Sequence, residues 1–202
     1  MKKANQYYLL CHTRLKADPE ALNYLTSKGI SEETIEAFNI GFDPDADPST
    51  EPFSRYTQGE NEEKKYKAPR IIYPCNDNFY IAESIDPETP YKFRTLNPKG
   101  SKTALFNTIA LYDEDDTVFL TAGPLEALRI IEAGKSAVSY NKFNRVLLDQ
   151  LKKDPIKKSF VILGHIMTDP EQDNKLNQLK RDLEKLSYKS IVYYLPGSDE
   201  DI

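Results

Sequence analysis

The sequence predicts an α/β protein (α+β overall), with a parallel sheet flanked by helices and preceded by a helical lobe and a β-meander. In residues 117–202, short β-branched runs alternate with segments of helical periodicity, which is the pattern of a parallel α/β sheet. In residues 69–116, strand-like runs follow each other with only turn residues between them, which is typical of antiparallel strands. Residues 1–68 carry helix signals and then a polar stretch.

The helical lobe is predicted over residues 4–42 from its start and stop signals. Asp18 and Pro19 form an N-cap and first-position pair, and the helix that they open ends at Gly29. Ser31 caps the next helix. In residues 43–68, prolines alternate with acidic residues and no periodicity is present, so this stretch is predicted to be a surface loop or a long hairpin tip.

The β-meander is predicted from strand signals at residues 70–73, at 79–85 and near 91–94. Its end is rich in lysine, arginine and asparagine, which neutralise phosphates and donate directed hydrogen bonds to them. A solvated, positively charged surface turn is the alternative explanation. If the segment binds nucleic acid, its cations should converge on one groove, whereas in a protein-binding scaffold they should scatter. The candidate binding residues are Arg70, Lys92, Arg94, Asn97, Lys99 and Lys102.

The most informative stretch of the chain is a strand, a tight turn and a helix in residues 117–134. The strand, predicted over residues 118–121, breaks at Gly123, and Pro124 occupies the first position of the following helix. Gly134 then ends that helix.

The same alternation continues to the end of the chain. Strands are predicted at residues 135–139, 159–166 and 190–195, with a helix over 141–151 and another that begins at Asp169.

The strand, turn and helix of residues 117–134 resemble the first motif of the Toprim domain, the metal-binding fold of bacterial primases and topoisomerases. In that family the strand ends in glutamate and glycine, with an aspartate three residues beyond the glycine. Gly123 matches the glycine, Glu126 stands at the place of the aspartate, and Ala122 stands at the place of the glutamate. The resemblance therefore implies a Toprim fold without its central catalytic residue.

Two further acidic positions follow from the same resemblance. The family's Asp-x-Asp pair falls on Met167 and Asp169, and its later acidic position falls on Asp199. Mg²⁺ requires hard oxygen ligands, which neither alanine nor a methionine thioether supplies. Glu126 and Asp169 are the candidate catalytic residues, and Glu126, Asp169 and Asp199 are the candidate ligands of a weak Mg²⁺ site. Asp169 also fits a helix N-cap, and Asp173 is a rival for its role.

Other segments resemble the catalytic core of bacterial and phage DNA primases of the DnaG type, in the same order along the chain. Residues 21–42 resemble the helical lobe that opens that core, residues 70–74 resemble its arginine strand, and residues 91–107 resemble its lysine and asparagine segment. With the Toprim motif, the resemblance covers most of the chain.

The resemblance implies Mg²⁺-dependent RNA primer synthesis in the DNA replication of a bacterium, a phage or a mobile element. Because of Ala122 and Met167, the leading hypothesis is a degenerate core that binds nucleic acid or nucleotide with lost or weak catalysis. An active primase or Toprim nuclease with a rearranged acidic site and a non-catalytic, protein-binding scaffold are the alternatives. The implied partners are single-stranded DNA or an RNA/DNA primer-template, nucleotides and replication proteins.

The composition of the chain argues against several other classes of protein. No apolar run in the 202 residues approaches the roughly 20 that cross a bilayer, and the net charge of −5 argues against indiscriminate nucleic-acid binding. Cys11 and Cys75 lie far apart, which argues against a disulfide framework or a zinc site and favours a reducing cytoplasm. His12 and His165 are predicted to have structural roles.

Overall fold

The computed structural model describes residues 3–46, 67–98, 101–140, 144–165 and 170–195. The chain divides into two compact units, Met1–Phe106 and Asn107–Ile202. Each unit contains one four-stranded sheet. The sheet of the first unit is antiparallel and that of the second is parallel, so the predicted fold class is confirmed.

Three helices open the first unit: α1 (Lys3–Ala17), α2 (Pro19–Ser27) and α3 (Glu32–Ala37). The predicted caps are confirmed. The Asp18 carboxylate accepts hydrogen bonds from the backbone N–H groups of Glu20 at 3.1 Å and Ala21 at 3.0 Å. The Ser31 hydroxyl accepts one from the N–H of Thr34 at 3.1 Å.

The antiparallel sheet has the strand order β1-β2-β3-β4 of a meander. Its strands are β1 (Gly41–Ala46), β2 (Ala68–Asn76), β3 (Phe79–Ser84) and β4 (Thr95–Leu96). A four-residue helix, α4 (Tyr91–Arg94), lies between β3 and β4.

Two predictions in this unit are wrong. Residues 91–94 form α4 and not a strand, because Pro90 sets up a helical turn in which its carbonyl accepts the N–H of Phe93 at 2.8 Å. Residues 41–46 form β1, although the sequence predicted a helix end and a loop. The buried Asp43 is satisfied there by the Tyr7 hydroxyl at 2.9 Å and the Arg14 guanidinium at 3.0 Å.

Helix α1 packs closely against the antiparallel sheet. Tyr8 and Cys11 of α1 belong to one buried cluster with Ile72, Tyr80 and Leu96 of the sheet. A Cβ atom at Gly41 would lie 2.5 Å from the Cβ of Cys11, so only glycine permits this contact between α1 and β1.

The parallel sheet has the strand order β6-β5-β7-β8. Its strands are β5 (Thr117–Thr121), β6 (Ala137–Ser139), β7 (Ser159–His165) and β8 (Lys189–Leu195). The connecting helices are α5 (Pro124–Glu132), α6 (Asn144–Lys153) and α7 (Pro170–Lys185). All seven elements occur where the sequence predicted them, with differences of a few residues at their ends.

Gly134 ends α5 as predicted, with a φ of +71° that favours glycine. In the part of the chain that the structure describes, no helix is both long enough and apolar enough to span a bilayer.

Candidate functional site

Parallel pairing brings the carboxyl ends of β5, β6, β7 and β8 to one edge of the sheet, which we call the carboxyl edge. Open α/β sheets bind their ligands at this edge. Ala122 follows β5 here and is exposed. Its carbonyl accepts a hydrogen bond from the Ser139 hydroxyl at 3.3 Å, and the Thr121 hydroxyl donates to the Gly123 carbonyl at 2.9 Å. Hydrogen bonds therefore hold the backbone of the predicted motif, without a carboxylate at Ala122.

Glu126 lies in the first turn of α5, and its carboxylate accepts a long hydrogen bond of 3.5 Å from the N–H of Gly123. This bond satisfies an N–H group that the helix itself leaves unpaired, although Gly123 has no side chain with which to complete a reciprocal capping box. A carboxylate in this position caps α5, and any metal would have to compete with that bond. The structure therefore gives Glu126 a local structural role beside its candidate catalytic one.

Tyr140 is a residue of the carboxyl edge that sequence reasoning missed. It follows β6, its backbone N–H donates to the Thr121 carbonyl at 3.1 Å, and its side chain is buried. Burial and the nearby Glu126 carboxylate raise the pKa of Tyr140 to about 12. Tyr140 is thus a neutral phenol close to Glu126. The only signal in the sequence was its position just after a predicted strand.

The other positions of the predicted acidic site lie mostly outside the described residues. Met167, Asp169 and Asp199 are in that group, but the strand ends that precede them, His165 and Leu195, are paired neighbours at the carboxyl edge. Asp173, the rival candidate, lies in the first turn of α7. Among the described residues, no three His, Cys, Asp or Glu side chains are grouped so that they could hold a metal ion.

His12 has the structural role that the sequence predicted. It is buried, and its ring nitrogens lie 2.7 Å from the Ile40 carbonyl and 3.2 Å from the Glu36 carboxylate. Burial, with a contribution from Asp43, raises the pKa of the neighbouring Cys11 thiol to about 12, which makes it unreactive at neutral pH.

The basic segment, residues 91–102, lies in the first unit together with Arg70. Arg70 is fully buried, and its guanidinium donates a hydrogen bond of 2.9 Å to the backbone carbonyl of Arg94. The exposed Arg94 side chain donates in turn to the carbonyls of Thr89 and Pro87, each at 3.4 Å. Arg70 is therefore placed to hold Arg94 and α4, while Arg94 faces the solvent.

The other predicted binding residues differ in exposure. Lys92 and Lys102 are exposed, and the Lys92 ammonium lies 5.0 Å from the ring centroid of Phe93. Asn97 is buried, and its side-chain oxygen has no hydrogen-bond partner within the described part of the chain. Lys99 lies outside the described residues. The structure thus brings Arg70 and Arg94 into contact, with Lys92 in the same helical turn as Arg94.

Comparison with solved structures identifies the fold as that of DnaG-type primase catalytic cores. The primase of Aquifex aeolicus, solved with its zinc-binding and RNA polymerase domains, matches 98% of this chain with a TM-score of 0.64 and 19% identity. The chain spans 55% of that structure. A DnaG catalytic core matches with a TM-score of 0.63 and 17% identity, over 98% of this chain and 72% of that one.

The RNA polymerase domain of Mycobacterium tuberculosis DnaG, solved in complex with double-stranded DNA, also matches. Its TM-score is 0.66 and its identity 15%, over 96% of this chain and 72% of that one. At these identities the likeness establishes the fold alone. No protein-family model and no curated protein matches the sequence.

Proposed function

We propose that this chain is a primase-like Toprim protein of DNA replication that binds single-stranded nucleic acid, with lost or weak catalysis. The observation that carries the proposal is the primase-core fold over nearly the whole chain, combined with an alanine at the end of β5. The structure of a protein with the same fold in complex with a DNA duplex that carries a 6-nucleotide overhang supports a nucleic-acid ligand with a single-stranded part.

The first part of the proposal, nucleic-acid binding, depends on the exposed cations of the basic segment. Lys92, Arg94 and Lys102 carry positive charge at the surface, and Arg94 is oriented by carbonyl groups on one side. Cations that contact phosphates release counterions from nucleic acid, so binding through them weakens steeply as salt rises. The net charge of −5 makes a local basic surface the physically reasonable mode of binding.

The second part of the proposal, lost or weak catalysis, rests on two residues that replace expected metal ligands, Ala122 and Met167. Mg²⁺ takes oxygen ligands in near-octahedral geometry. Ala122 has no donor atom, Met167 offers only a thioether, and the Glu126 carboxylate already accepts the N–H of Gly123. The residues present fit a catalytic magnesium ion poorly, so any bound ion would keep most of its water.

A salt titration of oligonucleotide binding tests the proposal. Affinity for a single-stranded oligonucleotide should fall steeply between about 50 and 200 mM salt. Replacing Lys92, Arg94 and Lys99 together by alanine should remove most of the binding. In the matched control, Lys152, Lys153 and Lys157 become alanine, which removes the same charge from exposed positions on the second unit.

The possible outcomes of this titration distinguish nucleic-acid binding through the basic segment from the protein-binding scaffold. Salt-dependent binding that only the first triple variant loses supports the proposal. Equal losses in both variants would mean that net charge and not the basic segment matters. Absence of binding to any nucleic acid would favour the protein-binding scaffold.

A further inference from the structure

Tyr91 presents a large aromatic surface to the solvent. Its exposure is 69%, the highest among the exposed tyrosines of the described residues, which include Tyr193 at 54% and Tyr112 at 48%. The neighbouring Lys92 and Arg94 are exposed cations. An exposed ring beside cations is the combination that single-stranded nucleic-acid sites use, since bases stack on the ring while phosphates contact the charges.

The geometry of α4 places this ring and one of the cations side by side. Residues three apart in a helix lie on the same face, roughly 5–6 Å apart at their Cβ atoms, so Tyr91 and Arg94 are neighbours on one side of the turn. Lys92 is the next residue after Tyr91 in the same helical turn.

Hydrogen bonds from a buried side chain and from the backbone also hold the α4 turn in place. The buried Arg70 guanidinium donates to the Arg94 carbonyl at 2.9 Å, and the Phe93 N–H donates to the Pro90 carbonyl at 2.8 Å. The Arg94 side chain is held by two carbonyls. The backbone of a turn held in this way loses little conformational freedom on binding, which favours affinity.

We propose that Tyr91 stacks on an unpaired base of single-stranded nucleic acid, with Lys92 and Arg94 at the flanking phosphates. The inference rests on the proposed nucleic-acid function and identifies the contact that selects single strands. Stacking requires a base whose face is accessible, so a duplex of the same charge should bind less well. Since every base has a π-face, the contact should be insensitive to sequence.

Substitutions of Tyr91 test the stacking contact. Tyr91→Ala should weaken binding of a short single-stranded oligonucleotide about tenfold, while Tyr91→Phe should keep most of the affinity. The slope of log affinity against log salt should stay unchanged in Tyr91→Ala, because no charge is removed, and should fall by about one in Lys92→Ala. Tyr112→Ala, at another exposed tyrosine, is the control and should bind like the unmodified chain.

A fluorescence measurement tests the same contact directly. The chain has no tryptophan, so Tyr91→Trp introduces a single reporter. Its emission should be quenched on titration with oligo(dT) and with oligo(rU), and the control Tyr112→Trp should not respond. Quenching by both oligonucleotides points to base stacking common to DNA and RNA, and quenching by one alone identifies the preferred strand.

The failure of this inference is distinguishable from the failure of the proposed function. If the unmodified chain binds single strands but Tyr91→Ala binds equally well and Tyr91→Trp is not quenched, stacking is wrong and the basic segment alone binds. If the unmodified chain binds no single-stranded oligonucleotide at low salt, both the stacking contact and the nucleic-acid function are wrong.

Discussion

The basic segment of the first unit and the carboxyl edge of the second differ in whether they carry the side chains that a primase-like function would need. Around α4, exposed cations stand on a turn that buried and backbone groups hold in place. At the carboxyl edge the backbone is also held by hydrogen bonds, but Ala122 stands where the primase resemblance implies glutamate. This difference supports the proposal that the chain binds nucleic acid without the means of catalysis.

The first prediction has the largest expected effect and concerns the stability of the second unit. It tests whether groups away from the carboxyl edge stabilise this unit. The side chain of Lys158 is only 7% exposed, and its ammonium donates to the Asp113 carbonyl at 2.6 Å, to the Asp113 carboxylate at 3.1 Å and to the Asp115 carbonyl. Lys158→Met should lower the free energy of unfolding by about 3 kcal/mol, because these acceptors lose a charged donor. Chemical denaturation measures this.

The neighbouring Lys157 provides the control for that prediction. Lys157 is exposed, so Lys157→Met should change the free energy of unfolding by less than about 0.5 kcal/mol. Equal effects at the two positions would show that the Lys158 contacts contribute nothing to stability.

The second prediction concerns the support of α4 in the first unit. Arg70→Met should lower the free energy of unfolding by about 2 kcal/mol, because the part-buried Arg94 carbonyl loses its charged donor. It should also weaken oligonucleotide binding even though the Arg70 side chain is fully buried. Denaturation and binding measured on the same variant give both values. Unchanged stability with weaker binding would instead mean that Arg70 contacts the ligand directly.

The third prediction restores the missing acids. The double variant Ala122→Glu with Met167→Asp should bind Mg²⁺ or Mn²⁺ about tenfold more tightly than the unmodified chain, measured by calorimetry. Ala122 is exposed, so the new glutamate buries no charge there. The control, Ala122→Gln with Met167→Asn, has the same shape without the charge and should bind no better than the unmodified chain.

The smallest expected effect is the pH dependence of the Asp113 contacts. Burial alone would raise the pKa of Asp113, but hydrogen bonds from Ser136 and Lys158 outweigh it and hold the pKa below the ordinary 3.8. A carboxylate with a lowered folded-state pKa stabilises the fold above its unfolded pKa, and this contribution is lost as pH falls through the folded value. The stability difference between the unmodified chain and Asp113→Asn should therefore shrink as the pH falls from about 5 towards 2. A constant difference would contradict the ion-pair explanation.

Most of the fold of the second unit could be predicted from the sequence, because the residues that mark the ends of its strands and helices lie close to those ends in the chain. Gly123, Pro124 and Gly134 mark the ends of β5 and α5 within a few residues of chain. Strand β1 was missed because the groups that satisfy Asp43 are distant: Tyr7 is 36 residues away and Arg14 is 29. In the sequence, a strand that contains an acidic residue resembles a loop. Only the structure shows the distant groups that form hydrogen bonds with the buried acid.

The candidate site was only partly predictable for the same physical reason. Positive charge identified Lys92 and Arg94, whose exposure agrees with a surface role, but it identified Arg70 equally, although β2 buries that side chain. Tyr140 lies close to Glu126 only because β5 and β6 pair in parallel. Tyr91 was assigned to a strand, and its exposure became evident only with the α4 turn.

A primer-extension assay tests the central claim of binding without catalysis most directly. The unmodified chain is incubated with a single-stranded template at a concentration where binding is saturated, together with ribonucleotides and Mg²⁺ or Mn²⁺. Since Ala122 supplies neither a metal ligand nor a proton carrier, we expect bound template and no detectable primer. Robust primer synthesis that Glu126→Gln abolishes would contradict the account and show that the carboxyl edge is a working, rearranged active site.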